Sequence, residues 1–129
     1  MLVVLDSTVL IDYLRGRPVV DRVRKLKLQG DLPATTVINV EEIVRGLREA
    51  EVNVARRLFR GLVIVPIDEA VSWQAGSWRR RFSELGVTLF QADCLVAAAA
   101  HRHRGVLCTG NPKDFPMSEV SVQHWPVGA

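Results

Sequence analysis

The chain has little cysteine, histidine or aromatic side chain. Its 129 residues include two cysteines and three histidines, and Phe, Trp and Tyr together make up 6%. Cys94 and Cys108 each stand alone in an apolar segment. They read as small buried hydrophobes, without the spacing of a disulfide framework or a zinc site. His101 and His103 are two apart on a predicted helix and face different directions, and His124 has no evident partner. A site built on imidazole and thiolate is therefore not expected. Trp73, Trp78 and Trp125 read as packing residues ahead of base-stacking ones.

Long hydrophobic runs are also missing. The longest, Cys94 to Ala100, falls far short of the roughly 20 residues of a membrane helix. No basic stretch precedes the N-terminal apolar run, which stops at Asp6, so no signal peptide is expected and a reducing cytoplasm is the natural compartment. Repeats, low-complexity tracts and linkers are absent, and the length suits one domain over residues 1–129.

What is present is apolar and mildly basic. Hydrophobic residues make up 48% and the net charge is +3; the mean hydropathy is +0.13 and the isoelectric point about 9.3. A real core can form, and the surface tolerates a polyanionic partner. Basic residues cluster at Arg15–Arg17, Arg22–Lys27, Arg56–Arg60, Arg79–Arg81 and Arg102–Arg104. These are either solvated helix faces or a ring around one site.

The chain is organised around its start. Leu2–Leu5 is an apolar run of the kind buried on both faces of a parallel sheet. Asp6 follows at once, and Val9, Leu10, Tyr13 and Leu14 then keep a helical spacing. A carboxylate thus stands where a buried strand hands over to a helix, either as a helix cap or as a site residue. Further helices are expected over Val19–Leu28, Thr36–Arg48, Val52–Leu62, Asp68 to about Leu85, and Phe90–Arg102. Strands are expected at Leu32–Thr35, Val63–Val65 and Val106–Cys108, with one more within Val120–Trp125; Pro33 suits an edge strand or a strand start. This alternation predicts an α/β fold, a central parallel sheet of about four to five short strands flanked by helices.

Three carboxylates fall at equivalent places: Asp6 after the first strand, Asp93 opening the apolar helix, and Asp114 after Val106–Cys108. Glu42 is a fourth candidate, although periodicity argues against it. The stripe Val40, Ile43, Val44 and Leu47 points Glu42 outward, in line with Gly46, where a close backbone approach would explain a glycine inside a helix. Clustered carboxylates repel unless a cation is present, and hard oxygen ligands suit Mg²⁺ or Mn²⁺. Such an ion activates water and stabilises charge on a phosphodiester. The alternative is that these are caps and surface acids.

The motifs resemble those of PIN-domain proteins, and more narrowly of VapC-type toxin ribonucleases. LVVLDSTVLIDYLRG carries Asp6, NVEEIVRG carries Glu42, QADCLVAAAA carries Asp93, and LCTGNPKDF carries Thr109, Asn111 and Asp114. The resemblance covers nearly the whole chain. It implies a metal-dependent endoribonuclease using Mg²⁺ or Mn²⁺, with Asp6 and Asp93 as main ligands. Glu42 and Asp114 would complete the site and orient water, and Thr109 and Asn111 would hold the carboxylates. Arg15 would stand at the mouth. Gly110 departs from the pattern, where a basic residue is common. The resemblance also implies an RNA substrate, with transfer RNA first, a homodimer, and a small antitoxin protein docking on the early amphipathic helices through Val20, Val23, Leu26, Val54 and Leu58. A non-catalytic nucleic-acid- or protein-binding module on the same fold is the rival reading, and a DNA nuclease or phosphatase with a similar acidic site is a second.

Overall fold

A computed structural model describes residues 1–129. The elements follow in order: β1 (Leu2–Leu5), α1 (Ser7–Leu14), α2 (Val19–Leu28), β2 (Leu32–Thr36), α3 (Val37–Arg45), α4 (Val52–Arg60), β3 (Val63–Val65), α5 (Glu69–Glu84), α6 (Gln91–Arg102), β4 (Val106–Thr109) and β5 (Ser121–His124). Short 3₁₀ turns at Glu49–Glu51 and Pro112–Asp114 precede α4 and β5. The five strands form one sheet in the order β3-β2-β1-β4-β5. Every pairing is parallel.

The sheet is covered on both faces, as continuous apolar strands require. Successive side chains of a strand point to opposite faces. Val4 and Leu107 therefore join a core with α5 and α6. Val3, Leu5, Val106 and Cys108 join the other, with α1, α2, α3 and α4. Ala97–Ala100 are fully buried, which lets α6 lie close to α5 and β4. Both cysteines are free and buried, and burial pushes the Cys108 thiol up to about 12.

Several boundaries and roles differ from the sequence reading. The strand containing Pro33 is internal, with β1 and β3 on its two sides. Pro33 is tolerated because it lies at the strand's start: it faces Val3 on β1, and pairing with β3 begins only at Ala34. The third helix ends at Arg45, and Gly46 is its C-cap. No close approach explains that glycine, since a Cβ there would meet nothing nearer than the Ile43 carbonyl oxygen at 3.8 Å. Trp78 and Trp125 are buried, but Trp73 is 73% exposed, its indole reaching Glu69 at 3.3 Å. No helix is long and apolar enough to cross a membrane.

Candidate metal and catalytic site

The C-terminal ends of β1 and β4 lie side by side, and the Asp6 amide donates to the Cys108 carbonyl at 2.9 Å. Asp6 and Thr109 thus come from adjacent strand ends, the place where open parallel sheets bind ligands. Asp6 is 8% exposed and its side chain caps no helix amide at the second or third position of α1. Instead Oδ2 accepts from the Thr109 hydroxyl at 2.8 Å and Oδ1 from Asn39 Nδ2 at 3.3 Å. Burial raises the Asp6 pKa, and the bonds from Thr109, the Ser7 amide, Asn39 and Thr8 only partly offset it.

Asp93 sits in the first turn of α6. Its pKa is raised to about 6, first by burial and then by the negative charges of Asp6, Asp114 and Glu42. Asp6, Asp114 and Glu42 are thus near enough to Asp93 for their charges to act on it. Glu42 is oriented by Ser7, whose hydroxyl donates to its Oε1 at 2.8 Å. The helical-wheel expectation for Glu42 fails for a definite reason. The buried residues of α3 are Asn39 and Ile43, so the inner face runs through Asn39 and Glu42's side of the helix. Val40 and Val44 line an open groove with Val52, Ala55 and Phe59 of the α4 region; Leu47 lines both that groove and the cleft of Glu42, and Ile43 alone of the stripe is buried.

Asn39 was not singled out in the sequence. It is fully buried; its Oδ1 accepts from the Thr36 amide at 3.2 Å and hydroxyl at 2.8 Å. Its Nδ2 reaches Asp6 and also Ser7 Oγ at 3.0 Å. The available signal was Thr36 three residues ahead of Asn39 at a helix start, a capping-box spacing. The role expected of the Asn111 side chain is thus filled by Asn39. Asn111 acts through its backbone, its amide donating to Thr109 Oγ1 at 3.1 Å. Asp114 is exposed, in the turn after β4.

Arg15 is exposed and lines a cleft of about 260 Å³ with Glu42, Arg48 and Glu51. The other basic clusters do not ring this site as a group. Lys27 and Arg60 share a cleft at the starts of β2 and β3, and Arg22 and Lys25 line a cleft of about 610 Å³ with Val3 and Val106. Helices that return antiparallel to the strands place their C-terminal ends, and the basic residues there, at the far end of the sheet. Of the residues expected to form a docking face on the early helices, Val23 and Leu58 are core residues, while Val20 and Leu26 are half-buried and Val54 is exposed.

No group of three or more His, Cys, Asp or Glu side chains is placed to hold an ion. The donor set nevertheless fits Mg²⁺ or Mn²⁺. The ligands are hard oxygens, and Mg²⁺ keeps several waters while taking one or two carboxylates. A cation would also relieve the repulsion that raises Asp93. Asp6 and Asp93 are the residues that would hold it.

Comparisons with known proteins agree with this architecture. The PIN-domain family matches residues 3–117. Ribonuclease VapC10 of Mycobacterium tuberculosis is 33% identical over 119 residues, covering 92% of this chain and 89% of that protein. Among solved structures, FitAcB from Neisseria gonorrhoeae is 27% identical with a TM-score of 0.74, covering 93% of this chain and 95% of that one. A toxin–antitoxin complex from Klebsiella pneumoniae contains a chain of the same fold, at a TM-score of 0.74 and 24% identity over 97% and 99% of the two chains. The strand order, the acids gathered at the ends of β1 and β4, and the match across most of its length show that this chain belongs to the PIN-domain family.

Proposed function

We propose that this protein is a divalent-metal-dependent endoribonuclease, the toxin of a toxin–antitoxin pair, with transfer RNA as its first-ranked substrate. The observation that carries the reading is Asp93 opposing Asp6, Glu42 and Asp114 at one end of the sheet. Like charges gathered in a half-buried place repel, and either a bound cation or protonation of one carboxyl relieves them; a divalent cation does so at neutral pH. The ribonuclease name of the Mycobacterium tuberculosis relative supports RNA as the substrate.

A bound Mg²⁺ or Mn²⁺ would lower the pKa of a water and stabilise charge on the phosphodiester. The chain's own residues do the positioning. Thr109 and Asn39 fix the two oxygens of Asp6. Ser7 turns Glu42 toward the same end, where it and Asp114 hold and orient water. Arg15, on the cleft beside Glu42, receives a backbone phosphate.

The toxin–antitoxin reading draws on the assembled state of the Klebsiella pneumoniae neighbour. The antitoxin's seat is the groove of about 590 Å³ lined by Val40, Val44, Leu47, Val52 and Phe59, with Arg56, Arg60 and one acid, Glu49, beside it. Apolar walls and cationic neighbours suit an amphipathic segment with acidic flanks.

The test is cleavage of a mixed pool of transfer, ribosomal and messenger RNA with Mg²⁺ or Mn²⁺, beside an EDTA control and Asp93→Asn. Cuts that need metal and vanish in the variant support the enzyme and reveal its RNA class. Binding without cuts, from folded and antitoxin-free protein, favours the non-catalytic module.

A further inference from the structure

The segment after β5 returns to the site. The Trp125 amide donates to the Thr109 carbonyl at 2.8 Å. Three residues later Gly128, at φ +79°, donates its amide to Asp12 Oδ2 at 2.8 Å. Asp12 belongs to α1 and is 3% exposed; its other oxygen pairs with Arg17 at 2.7 Å. A carboxylate buried on an otherwise apolar helix face is costly unless it is paired. Its partners here are Arg17 and the returning backbone.

Between these two anchors Val127 lies over Gly110. A Cβ on Gly110 would stand 2.7 Å from Val127 Cγ2 and 3.3 Å from Thr8 Oγ1. The Gly110 amide donates to Thr8 Oγ1 at 2.8 Å. That hydroxyl lies 3.5 Å from both Thr109 Oγ1 and Asp6 Oδ2. Val127 therefore closes the outer side of the loop that carries Thr109 to Asp6, leaving no room for a side chain at position 110. The glycine standing where the family resemblance led us to expect a basic residue is what this contact needs.

We propose that residues 125–128, anchored by Asp12, form a strap that positions Asp6 through the Thr8–Thr109–Gly110 contacts. Asp12 and Val127 are then positioning residues. The proposal rests on Asp6 being a ligand of a divalent cation. Residues behind metal ligands commonly alter metal affinity by tenfold or more when changed.

The experiment uses the full chain and three readouts: Mn²⁺ affinity by calorimetry without RNA, the thermal midpoint of the metal-free protein, and kcat and KM for RNA cleavage. Gly110→Ala should weaken Mn²⁺ binding about tenfold and lower kcat more than it raises KM. Gly110→Ala with Val127→Ala should recover most of that loss, because the Cγ2 atom that blocks the new methyl is gone. Asp12→Ala should weaken Mn²⁺ binding as Gly110→Ala does, and Asp12→Asn, which still offers an acceptor to Gly128, should do so less. Unchanged Mn²⁺ affinity and kcat in folded Gly110→Ala, or no recovery in the double variant, would overturn the strap. Wild-type protein that cleaves RNA and binds Mn²⁺ beside such variants leaves the metal reading standing. Wild-type protein that binds no Mn²⁺ overturns that reading and the strap together.

Discussion

Asn39 Nδ2 stands 3.3 Å from Asp6 Oδ1, so one buried amide ties the start of α3 to the end of β1. The same side chain closes the capping box with Thr36. Local helix capping and site geometry therefore depend on one residue. Asn39→Leu, similar in branched shape, removes the Asn39 half of the capping box and leaves the Thr36 amide and Asp6 Oδ1 without that partner, while Thr36 Oγ1 still accepts from the amides at 38 and 39 and Asp6 Oδ2 from Thr109. The expected cost is about 1–3 kcal/mol by chemical denaturation, together with loss of most cleavage activity.

The raised Asp93 pKa gives the metal-free protein a signed pH dependence. The unfolded carboxyl titrates at its ordinary value of 3.8 and the folded one at about 6. The folded state thus holds the proton more tightly, so this contribution is present below the lower value and lost as pH rises through about 6. Melting the metal-free protein between pH 4 and 7.5, roughly the range that brackets the two values, should show wild type losing stability relative to Asp93→Asn. Saturating Mn²⁺ should reverse this at neutral pH, raising the wild-type midpoint and leaving the variant's unmoved, as linkage requires of a ligand that binds only the native state.

Glu119 makes a separate structural clasp. It accepts from Trp78 Nε1 at 3.0 Å and from both terminal nitrogens of Arg81 at 2.8 and 3.0 Å. Arg81 and Trp78 hold its pKa down at about 2. Glu119→Leu leaves a buried indole N–H unpaired, at a cost of about 1–3 kcal/mol. The carboxylate's contribution is present above its unfolded value and disappears as pH falls through about 2. Denaturation of Glu119→Gln and wild type should therefore converge over that acid range.

The groove on α3 and α4 separates binding from cleavage. Val44 is 54% exposed and lines that groove, away from Asp6. Val44→Glu puts a charge into the apolar seat and should abolish co-elution with the antitoxin in size-exclusion chromatography. RNA cleavage by the purified variant should stay within about twofold of wild type, as expected of a surface change outside the site.

The sequence by itself determined the elements and their class. Apolar runs such as Leu2–Leu5 and Val106–Cys108 are continuous because both faces of their strands are buried, and that pattern is local. The places of Asp6 and Asp93 in the fold were legible for a related reason, since each stands where an apolar segment starts or stops. Their environment was not legible. The Glu42 wheel misled because, of the stripe Val40, Ile43, Val44 and Leu47, only Ile43 is buried while Val40 and Val44 line an open groove, and hydrophobicity does not distinguish a groove from a core. Asn39 and Asn111 differ only in where the chain brings them, and only the packed structure puts the first against Asp6. The basic clusters look alike along the chain, yet helix direction sends Lys27 and Arg60 to the starts of β2 and β3. Gly110 and Val127 are separated by the whole of β5, and they come together where the Gly128 amide meets Asp12 of α1. Contacts between residues far apart in sequence follow from the crossing of packed elements, and no local pattern encodes that crossing.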